Sequence, residues 1–528
     1  MSDTPVHSQS MLDTSAPTWW AKLLFMAVLG GGLAYCASQL MGDVSNAQEA
    51  TPWLLLLLAL LIALGFEFVN GFHDTANAVA TVIYTRSLTP HVAVVWSGLW
   101  NFLGVMMASG AVAWGIVSLL PVELILQVNS SAGLAMVFAL LIAAVVWNLG
   151  TWWLGLPASS SHTLIGSIIG VGLANQLLAP AGTATSGVDW DKAREVGLAL
   201  LVSPIFGFVA AALLLLALKL VVRNKELFSE PSKDKSPPLW IRGILIATCT
   251  AVSFAHGSND GQKGMGLIML ILVGVVPTAF ALNRTPDPAL LDQFRGASAA
   301  LVQTLDHYAQ PDVTVADPAS AVADAVRTKT WTPETTVAMS QFLVKLDQRM
   351  VDYKSLASVP TDLVSNLRND LYLVSEALKL VDKKKQLAVS PEDMKSFTTF
   401  HAVVDGATRF IPNWVKVAVA LALGLGTMVG WRRIVVTVGE KIGKTHLTYG
   451  QGAAAETVAA ITIGMADVLG LPVSTTQVLS SGIAGTMAAN GSGLQGSTVR
   501  NILLAWVLTL PVSILLAGVL FAVLRVLI

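Results

Sequence analysis

The sequence has little charge for its length. Only 12% of its 528 residues are Asp, Glu, Lys or Arg, about half the share of a typical soluble protein. Its net charge of -1 offers no electrostatic basis for binding nucleic acid. Its two cysteines both lie in apolar stretches, which argues against a disulfide framework and against a cysteine metal site. The composition therefore argues against a soluble enzyme, a disordered chain and a nucleic-acid-binding protein.

The few charged residues are concentrated in one stretch. Residues 283–410 hold 30 of the 65 charged residues, and the other 400 residues hold only 35. Within this stretch, apolar residues recur at spacings of three and four, which predicts amphipathic helices that pack on each other. We therefore predict an all-α membrane protein that carries one helical, water-soluble insertion.

Apolar segments long enough to cross a membrane occupy much of the remaining chain. We predict 10 to 13 of them, some crossing only half of the membrane. The clear candidates are 20–39, 52–70, 92–119, 133–153, 195–222, 238–256, 264–282, 411–430 and 501–527. The weaker candidates, richer in Gly, Ser, Thr and Asn, are 74–86, 160–178, 448–468 and 474–489. The first segment lacks the basic flank of a signal peptide, so we interpret it as an extra helix or anchor.

Two clusters of basic residues indicate the orientation of the protein. By the positive-inside rule both clusters face the cytoplasm, whereas loops 40–51 and 120–131, which have no Lys or Arg, face outside. If every candidate segment between residues 243 and 431 spanned the membrane, the two basic clusters would lie on opposite sides of it. The side on which the insertion lies therefore stays open. The clusters consist of Arg223, Lys225, Lys233, Lys235 and Arg242, and of Arg432, Arg433, Lys441 and Lys444.

Two short motifs occur twice, in the same order. The first half has GFHDTANA at 71–78 and GLPASSSH at 155–162, and the second has GSNDGQKG at 257–264 and GLPVSTTQ at 470–477. The two motifs are 83 residues apart in the first half and 212 in the second, counted from the aspartate to the proline. The difference of 129 is close to the length of the insertion. Repeats with interrupted helices are typical of secondary transporters, whose substrate site lies between the repeats.

The repeat divides the chain into five parts. An N-terminal extension with an extra helix precedes two transmembrane repeats, which a basic linker joins, and the insertion interrupts the second repeat. The predicted limits are 1–50 for the extension, 51–222 for the first repeat, 223–242 for the linker, 243–282 with 411–528 for the second repeat, and 283–410 for the insertion.

The GLP motif of each half predicts a helix that starts inside the membrane. Proline suits the first turn of a helix, and serine or threonine can cap it. The first N–H groups of such a helix lack internal partners and carry partial positive charge, so a bound oxyanion can satisfy several of them. One copy alone would more simply be a capped helix that packs through small residues, but two copies favour an anion site. Its hydroxyl groups belong to Ser159, Ser160, Ser161, Ser474, Thr475 and Thr476.

The other motif places one carboxylate of each half, Asp74 and Asp260, in an apolar setting. A charge at the bilayer centre costs at least about 2.5–3.5 kcal/mol, so such residues usually serve a function. With Asn70, Asn77 and Asn259 nearby, the acids form a cluster of oxygen ligands suited to Na⁺ or to protonation. An anion beside carboxylates is favoured if it carries an O–H group. Hydrogen phosphate carries one and sulfate at neutral pH does not, which favours phosphate as the substrate.

Five further residues are candidates for handling substrate or coupling ions: Lys263, Glu67, His73, His162 and His256. The lysine follows the second acid by one helical turn, so it either neutralises that acid or contacts the substrate. The histidines all touch a motif and titrate near neutral pH, which suits proton relay, although each could equally be a hydrogen-bonded structural residue. The glutamate lies about two turns before the first acid and is a second candidate proton carrier.

The sequence resembles the inorganic phosphate transporter (Pit) family, close to the bacterial low-affinity type. The resemblance rests on residues 70–85 (NGFHDTANAVATVIYT), 155–162, 256–263 (HGSNDGQK) and 470–476, and it covers nearly all of the chain from about 51 to 528. It implies an inverted-repeat secondary transporter with broken or re-entrant helices. The positions that it implies for phosphate and coupling cations are Asp74, Asn77, Ser159, Ser160, Ser161, Asn259, Asp260, Ser474, Thr475 and Thr476.

The second half departs from the family pattern at two places. Residues 261–263 read Gly-Gln-Lys where the family repeats a run like Val-Ala-Asn, and Gln477 stands where a histidine like His162 is expected. The ion ligands of the two halves are therefore not equivalent, and a mechanism that needs both histidines is in doubt.

These observations together predict a symporter, not an enzyme, that takes up inorganic phosphate with protons across the bacterial inner membrane. In the bacterial subgroup, the resemblance implies phosphate often moving as a neutral complex with a divalent metal. Coupling to Na⁺, or transport of sulfate or another oxyanion, are the alternatives. We expect no covalently bound cofactor, and we expect phosphate and membrane lipid as partners, with a homodimer as the candidate assembly. A membrane-embedded hydrolase using Ser159–Ser161 and His162 is a remote alternative, because sequence neighbours on a helix do not face each other.

Overall fold

The structure, a computed structural model, is helical, and no strand forms within the residues that it describes. This confirms the predicted all-α class. The described residues are 18–45, 52–121, 124–125, 130–179, 187–232, 235–283, 288–351, 353, 355–382 and 384–527.

The described helices extend from Trp19 to Leu527. The first half contains α1 (Trp19–Ser45), α2 (Trp53–Tyr84), α3 (Pro90–Met107), α4 (Ala111–Val117), α5 (Ser131–Trp153), α6 (Ser160–Leu177) and α7 (Trp190–Val221). Then come α8 (Leu239–Val275) and the short α9 (Pro277–Phe280). The charged stretch forms α10 (Pro288–Tyr308), α11 (Pro318–Thr328), α12 (Pro333–Met350), α13 (Thr361–Asp382) and α14 (Met394–Thr408). The chain ends with α15 (Asn413–Thr427), α16 (Arg432–Glu440), α17 (Tyr449–Val468), α18 (Thr475–Asn490) and α19 (Gly496–Leu527).

Fewer segments cross the membrane than the sequence suggested. Six described helices are long and apolar enough to span, and up to eight spans result if each of two sharply bent helix pairs counts as one. The predicted pairs 52–70 with 74–86 and 238–256 with 264–282 were wrong as separate segments, because α2 and α8 continue through the polar motifs. The predicted segment 92–119 is instead two helices bent by 75°, with Gly110 at a φ of +91° between them.

The two halves have matching helices that pack across one another. Helices α2 to α7 correspond in order to α8 and α15 to α19. α3 packs on α8 and α15 on α2, while α6 packs on α19 and α18 on α7. Gly71 and Gly257 show why the motifs carry glycine. A Cβ atom there would lie 2.3 Å from the Leu423 carbonyl oxygen and 2.1 Å from that of Asn101, respectively. Backbones that approach this closely exclude a side chain.

Arg242 and Arg433, one from each basic cluster, lie on one face of the protein, here called the linker side. Arg242 Nε donates to the Ser87 carbonyl after α2 at 2.7 Å, and Arg433 donates to the Trp153 carbonyl at the end of α5 at 2.7 Å. When α2 and α8 each cross once, both basic clusters come to lie on the same side of the membrane. The insertion then lies on the opposite face, here called the insertion side. The positive-inside rule assigns the linker side to the cytoplasm, which predicts that the insertion lies outside.

The insertion has an apolar core of its own. Phe342, Leu371, Phe397 and Phe400 are among its buried side chains. Ion pairs connect it to the residues at the start of α7. Lys384 Nζ lies 2.5 Å from a carboxylate oxygen of Asp191, and Lys329 Nζ lies 3.3 Å from one of Asp189. The insertion therefore lies directly against the transmembrane helices.

Candidate functional site

Each GLP motif leads into a helix that starts inside the protein. Ser159 caps α6 by accepting a hydrogen bond from the His162 N–H at 3.2 Å, and Ser474 caps α18 by accepting one from the Gln477 N–H at 3.2 Å. The glycine that opens each motif has a φ of +66°, a conformation that side chains disfavour. Both loops therefore turn back into the protein, and we call α6 and α18 with these loops the two re-entrant tips.

The two re-entrant tips meet each other. The Ser161 hydroxyl donates to the Val473 carbonyl in the opposite loop at 2.7 Å. Gln477 Nε2 lies 3.5 Å from His162 Nδ1, which itself lies 2.8 Å from the Ser159 hydroxyl. Gln477, which departs from the expected histidine, is thus a direct contact of His162 from the other repeat.

Asp74 lies in the middle of α2, and groups from both halves bind it. The Ser160 hydroxyl of the first tip donates to Oδ2 at 2.8 Å, and the Thr476 hydroxyl of the second donates to Oδ1 at 2.6 Å. His73 Nδ1 lies 3.0 Å from Oδ1. Only 3% of Asp74 is exposed. The structure thus brings both tips to one buried carboxylate.

Asp260 lies in the middle of α8, and two side chains of its own helix contact it. Lys263 Nζ is 2.6 Å from Oδ2, and His256 Nε2 is 3.4 Å from the same oxygen. Ser160 joins the two halves, since its hydroxyl lies 3.5 Å from Asp260 Oδ2 and 3.3 Å from Lys263 Nζ. Oδ1 of Asp260 has no hydrogen-bond partner among the described residues.

Three of these residues could hold a metal ion together. One ligand atom from each of Asp74, His256 and Asp260 lies within 4.8 Å of the others, and all three residues are buried. His256 is oriented by Asn101, whose Oδ1 lies 2.8 Å from Nδ1. Carboxylate and imidazole ligands suit several divalent metals.

Two of the predicted asparagines have hydrogen-bond partners other than the aspartates. Asn259 Nδ2 donates to the Leu471 carbonyl at 3.1 Å, so this side chain contacts the second tip loop. Asn70 Nδ2 donates to Glu67 at 3.4 Å. The side chain of Asn77 lies outside the described residues. The predicted role of these asparagines as ligands therefore stays a prediction.

Other buried oxygen atoms also have no hydrogen-bond partner within the described part of the chain. They include Oε1 of Glu67 and the hydroxyl of Thr475. Glu67 is completely buried and adjoins Gly264, at which a Cβ atom would come within 2.3 Å of Glu67 Cγ. Thr475 is the first residue of α18. A ligand or a proton could bind these atoms without breaking an existing hydrogen bond.

The sequence analysis missed Asp467, which fastens the second tip to α8. Its carboxylate accepts from the Ser258 hydroxyl at 2.6 Å and from Gln262 Nε2 at 2.5 Å. The signal was present, since this acid stands in an otherwise apolar stretch three residues before Gly470. An acid in such a segment is a functional hypothesis by default.

A cavity lies at each end of the molecule, next to one tip loop. The linker-side vestibule, about 630 Å³ in volume, is lined by Leu154 and Gly155, and by the basic residues Arg432, Arg433 and Lys441. The insertion-side vestibule, about 970 Å³, is lined by Leu469 and Gly470. Its charged lining residues are Asp189, Asp191, Lys192, Glu195, Lys329, Glu376, Lys379, Lys384, Asp405 and Arg409.

Neighbouring groups tune the charges of the insertion-side vestibule. A hydrogen bond from Lys384 lowers the pKa of Asp191. Burial lowers the pKa of Lys379 and of His401, because each loses solvation of its charged form. The vestibule therefore carries both signs of charge, in contrast to the basic linker side.

Comparison with known proteins identifies the family of this chain. A model of the phosphate transporter family matches residues 70–517. The chain belongs to that family. It is 44% identical over 502 residues to the low-affinity inorganic phosphate transporter PitA of Escherichia coli, a match that covers 89% of this chain and 96% of that protein. PitB of the same organism is 44% identical over 492 residues, with the same coverage.

A solved structure titled "The sodium-dependent phosphate transporter" is also similar. It is 20% identical, with a TM-score of 0.49, over 90% of this chain and 100% of that chain. Family membership confirms the predicted resemblance and confirms that the chain is a transporter and not an enzyme. With its candidate spans, it is a multi-pass membrane protein.

Proposed function

We propose that this chain is a secondary symporter that moves inorganic phosphate into the cell together with protons. Its relatives PitA and PitB are named low-affinity inorganic phosphate transporters. The chain spans 96% of each of them, so the proposal concerns the whole carrier.

One observation carries the choice of phosphate: both re-entrant tips converge on Asp74, and Lys263 Nζ lies 3.3 Å from the Ser160 hydroxyl of the first tip. An oxyanion placed there would accept hydrogen bonds from the helix N-termini, from the hydroxyls of Ser160 and Thr475, and from the Lys263 ammonium. A fully charged anion would be repelled by the two aspartates. Hydrogen phosphate avoids part of this repulsion because its O–H group donates to a carboxylate, which sulfate cannot do at neutral pH.

The geometry of Glu67 supports coupling to protons. It is completely buried, one of its oxygens has no partner among the described residues, and it lies on α2 two turns from Asp74. Carboxyl groups buried in membrane segments commonly serve as proton relays. The Asp74, His256 and Asp260 cluster supports the further proposal that phosphate can travel as a neutral complex with a divalent metal as co-substrate. The predicted homodimer stays a prediction.

Uptake of labelled phosphate into vesicles tests the proposal. We expect an inwardly directed proton gradient to accelerate uptake without Na⁺, Mg²⁺ to support uptake as the metal complex, and excess unlabelled sulfate to leave it unchanged. Inhibition by sulfate would identify a broader oxyanion carrier. A requirement for Na⁺ with no response to the proton gradient would identify the Na⁺-coupled alternative.

A further inference from the structure

The second half of the site holds a fixed positive charge at a position where the first half has a neutral residue. In the aligned motifs, Asp74 corresponds to Asp260, and the residue three positions later is Asn77 in the first half and Lys263 in the second. The two acids therefore have the same place in the fold but different neighbours. This asymmetry has a consequence for the ions that the carrier needs.

Lys263 occupies a position suited to a small cation. Its Nζ lies 2.6 Å from Oδ2 of Asp260 and 3.3 Å from the hydroxyl oxygen of Ser160. None of the lysine or of Asp260 is exposed to solvent. A carboxylate and a hydroxyl are the kinds of hard oxygen ligand that alkali and alkaline-earth cations bind. A second monovalent cation on the same oxygens would be repelled strongly by the ammonium in this buried setting.

We propose that the Lys263 ammonium replaces a transported cation at Asp260, and that it is the residue that makes phosphate uptake independent of Na⁺. This inference rests on the proposed phosphate transport. The ammonium neutralises Asp260 and leaves its N–H donors beside Ser160, where an anion can accept them. Because it is attached to the chain, it does not leave with the substrate. The lysine therefore supplies positive charge to the second half of the site without moving Na⁺ across the membrane.

A purely structural role for Lys263 predicts different behaviour. If the lysine served only to keep α8 folded around Asp260, its replacement would lower stability and uptake equally in all salts. If it stands in for a cation, a neutral replacement opens a place that Na⁺ can fill, and the defect becomes dependent on Na⁺. Lys263→Asn is the sharpest change, because it introduces the residue of the first half.

The experiment uses the full-length protein in proteoliposomes at fixed pH and membrane potential. The wild type should take up labelled phosphate equally in Na⁺ and K⁺ media. Lys263→Asn should transport poorly in K⁺ medium and recover when Na⁺ is added, with a ratio on the order of ten- to a hundredfold, the usual size of a coupling between two ligands. Lys263→Arg keeps the charge and should stay independent of Na⁺.

A second readout follows the charge that moves. If Na⁺ enters with phosphate in Lys263→Asn, each cycle carries one more positive charge than in the wild type. Uptake by the variant should then respond more steeply to an inside-negative potential. A structural defect would leave this response unchanged.

Several outcomes would overturn the inference. One is a Lys263→Asn protein that is folded and binds phosphate but is not restored by Na⁺. Another is a variant that transports normally in K⁺ medium. If the variant cannot be recovered, binding of labelled Na⁺ to the wild type decides, because Na⁺ binding that Asp260→Asn abolishes would place Na⁺ beside Lys263. Absence of phosphate uptake by the wild type would instead overturn the proposed function.

Discussion

The two buried carboxylates of the site are bound in different ways. Asp74 accepts hydrogen bonds from the Ser160 and Thr476 hydroxyls of both tips, so its environment changes whenever either tip moves. Asp260 is paired with Lys263, one turn away on its own helix, and this pair can persist while the tips move. The comparison shows that two acids at matching positions of a repeat can have different side-chain partners, hydroxyls of both tips for Asp74 and a lysine for Asp260.

This difference suggests how alternating access is arranged. Each re-entrant loop adjoins one vestibule, so withdrawal of one tip would connect the site to one side of the membrane. Such a movement would break one hydroxyl contact to Asp74 and leave the Lys263–Asp260 pair intact. We therefore expect Asp74 to report on the state of the tips, and Asp260 to keep the charge of the site constant.

The largest effect is expected at the acids themselves. Asp74→Asn and Asp260→Asn should each abolish phosphate uptake, with a loss of roughly a hundredfold or more, because removing one partner of a buried charged pair leaves the other uncompensated. Labelled phosphate uptake by membrane-inserted protein measures this.

The comparison adds a distinction between these two variants. Lys263→Asn combined with Asp260→Asn removes both charges and should recover stability. Asp74 is instead held by His73 and by hydroxyls of both tips, so no single second substitution should compensate Asp74→Asn. Normal uptake in both single variants would show that the site is elsewhere.

The next effect is expected at Glu67. Glu67→Gln removes a buried carboxyl group, one oxygen of which has no hydrogen-bond partner among the described residues. It should remove the acceleration of phosphate uptake by a proton gradient, because the amide cannot take up and release a proton as the carboxyl group does. Exchange of internal for external phosphate without a gradient should continue. An unchanged response to the gradient would assign proton coupling to other groups, and Glu67→Asp is the matched control that retains the carboxyl group.

A smaller effect separates two equivalent hydroxyls of the tips. Ser160 contacts both acids, whereas the equivalent Thr475 has no partner among the described residues. Thr475→Ala should raise the KM for phosphate by roughly two- to tenfold, the value of one hydrogen bond, and should leave thermal stability unchanged. Thr475→Ser should restore the KM.

Ser160→Ala should instead lower both stability and maximal rate, because it removes the tip hydroxyl that donates to Oδ2 of Asp74. Equal effects of the two alanine variants on KM and on thermal stability would contradict the assignment.

The smallest effect is expected at the contact between the insertion and the transmembrane helices. Lys384 and Asp191 form an ion pair whose side chains are 30% and 71% exposed, and such pairs contribute little. Lys384→Ala should change phosphate uptake by no more than about threefold, and added salt should remove the difference. A large loss that persists at high salt would instead show that the insertion controls entry to the vestibule.

Part of this site could be predicted from residue patterns alone. The repeated motifs identified the acids, the tip hydroxyls and Lys263, because charges and capping residues are rare in apolar segments. The patterns suggested breaks near Asn70 and Gly257, however, where α2 and α8 are continuous. They also grouped Asn259 with the acids, although it binds the Leu471 carbonyl. A single helix can point neighbouring polar residues to different faces, and only the neighbouring helices decide which face becomes the site.

The sequence by itself determined the membrane setting, the repeat, the family and the chemical types of the site residues. These follow from composition and spacing, which are properties of the chain alone. Only the tertiary structure decided that both tips bind Asp74, that Lys263 occupies the space beside Asp260, and that the insertion lies opposite the basic linkers. These contacts join residues hundreds of positions apart, and the packing of helices from both repeats brings them together.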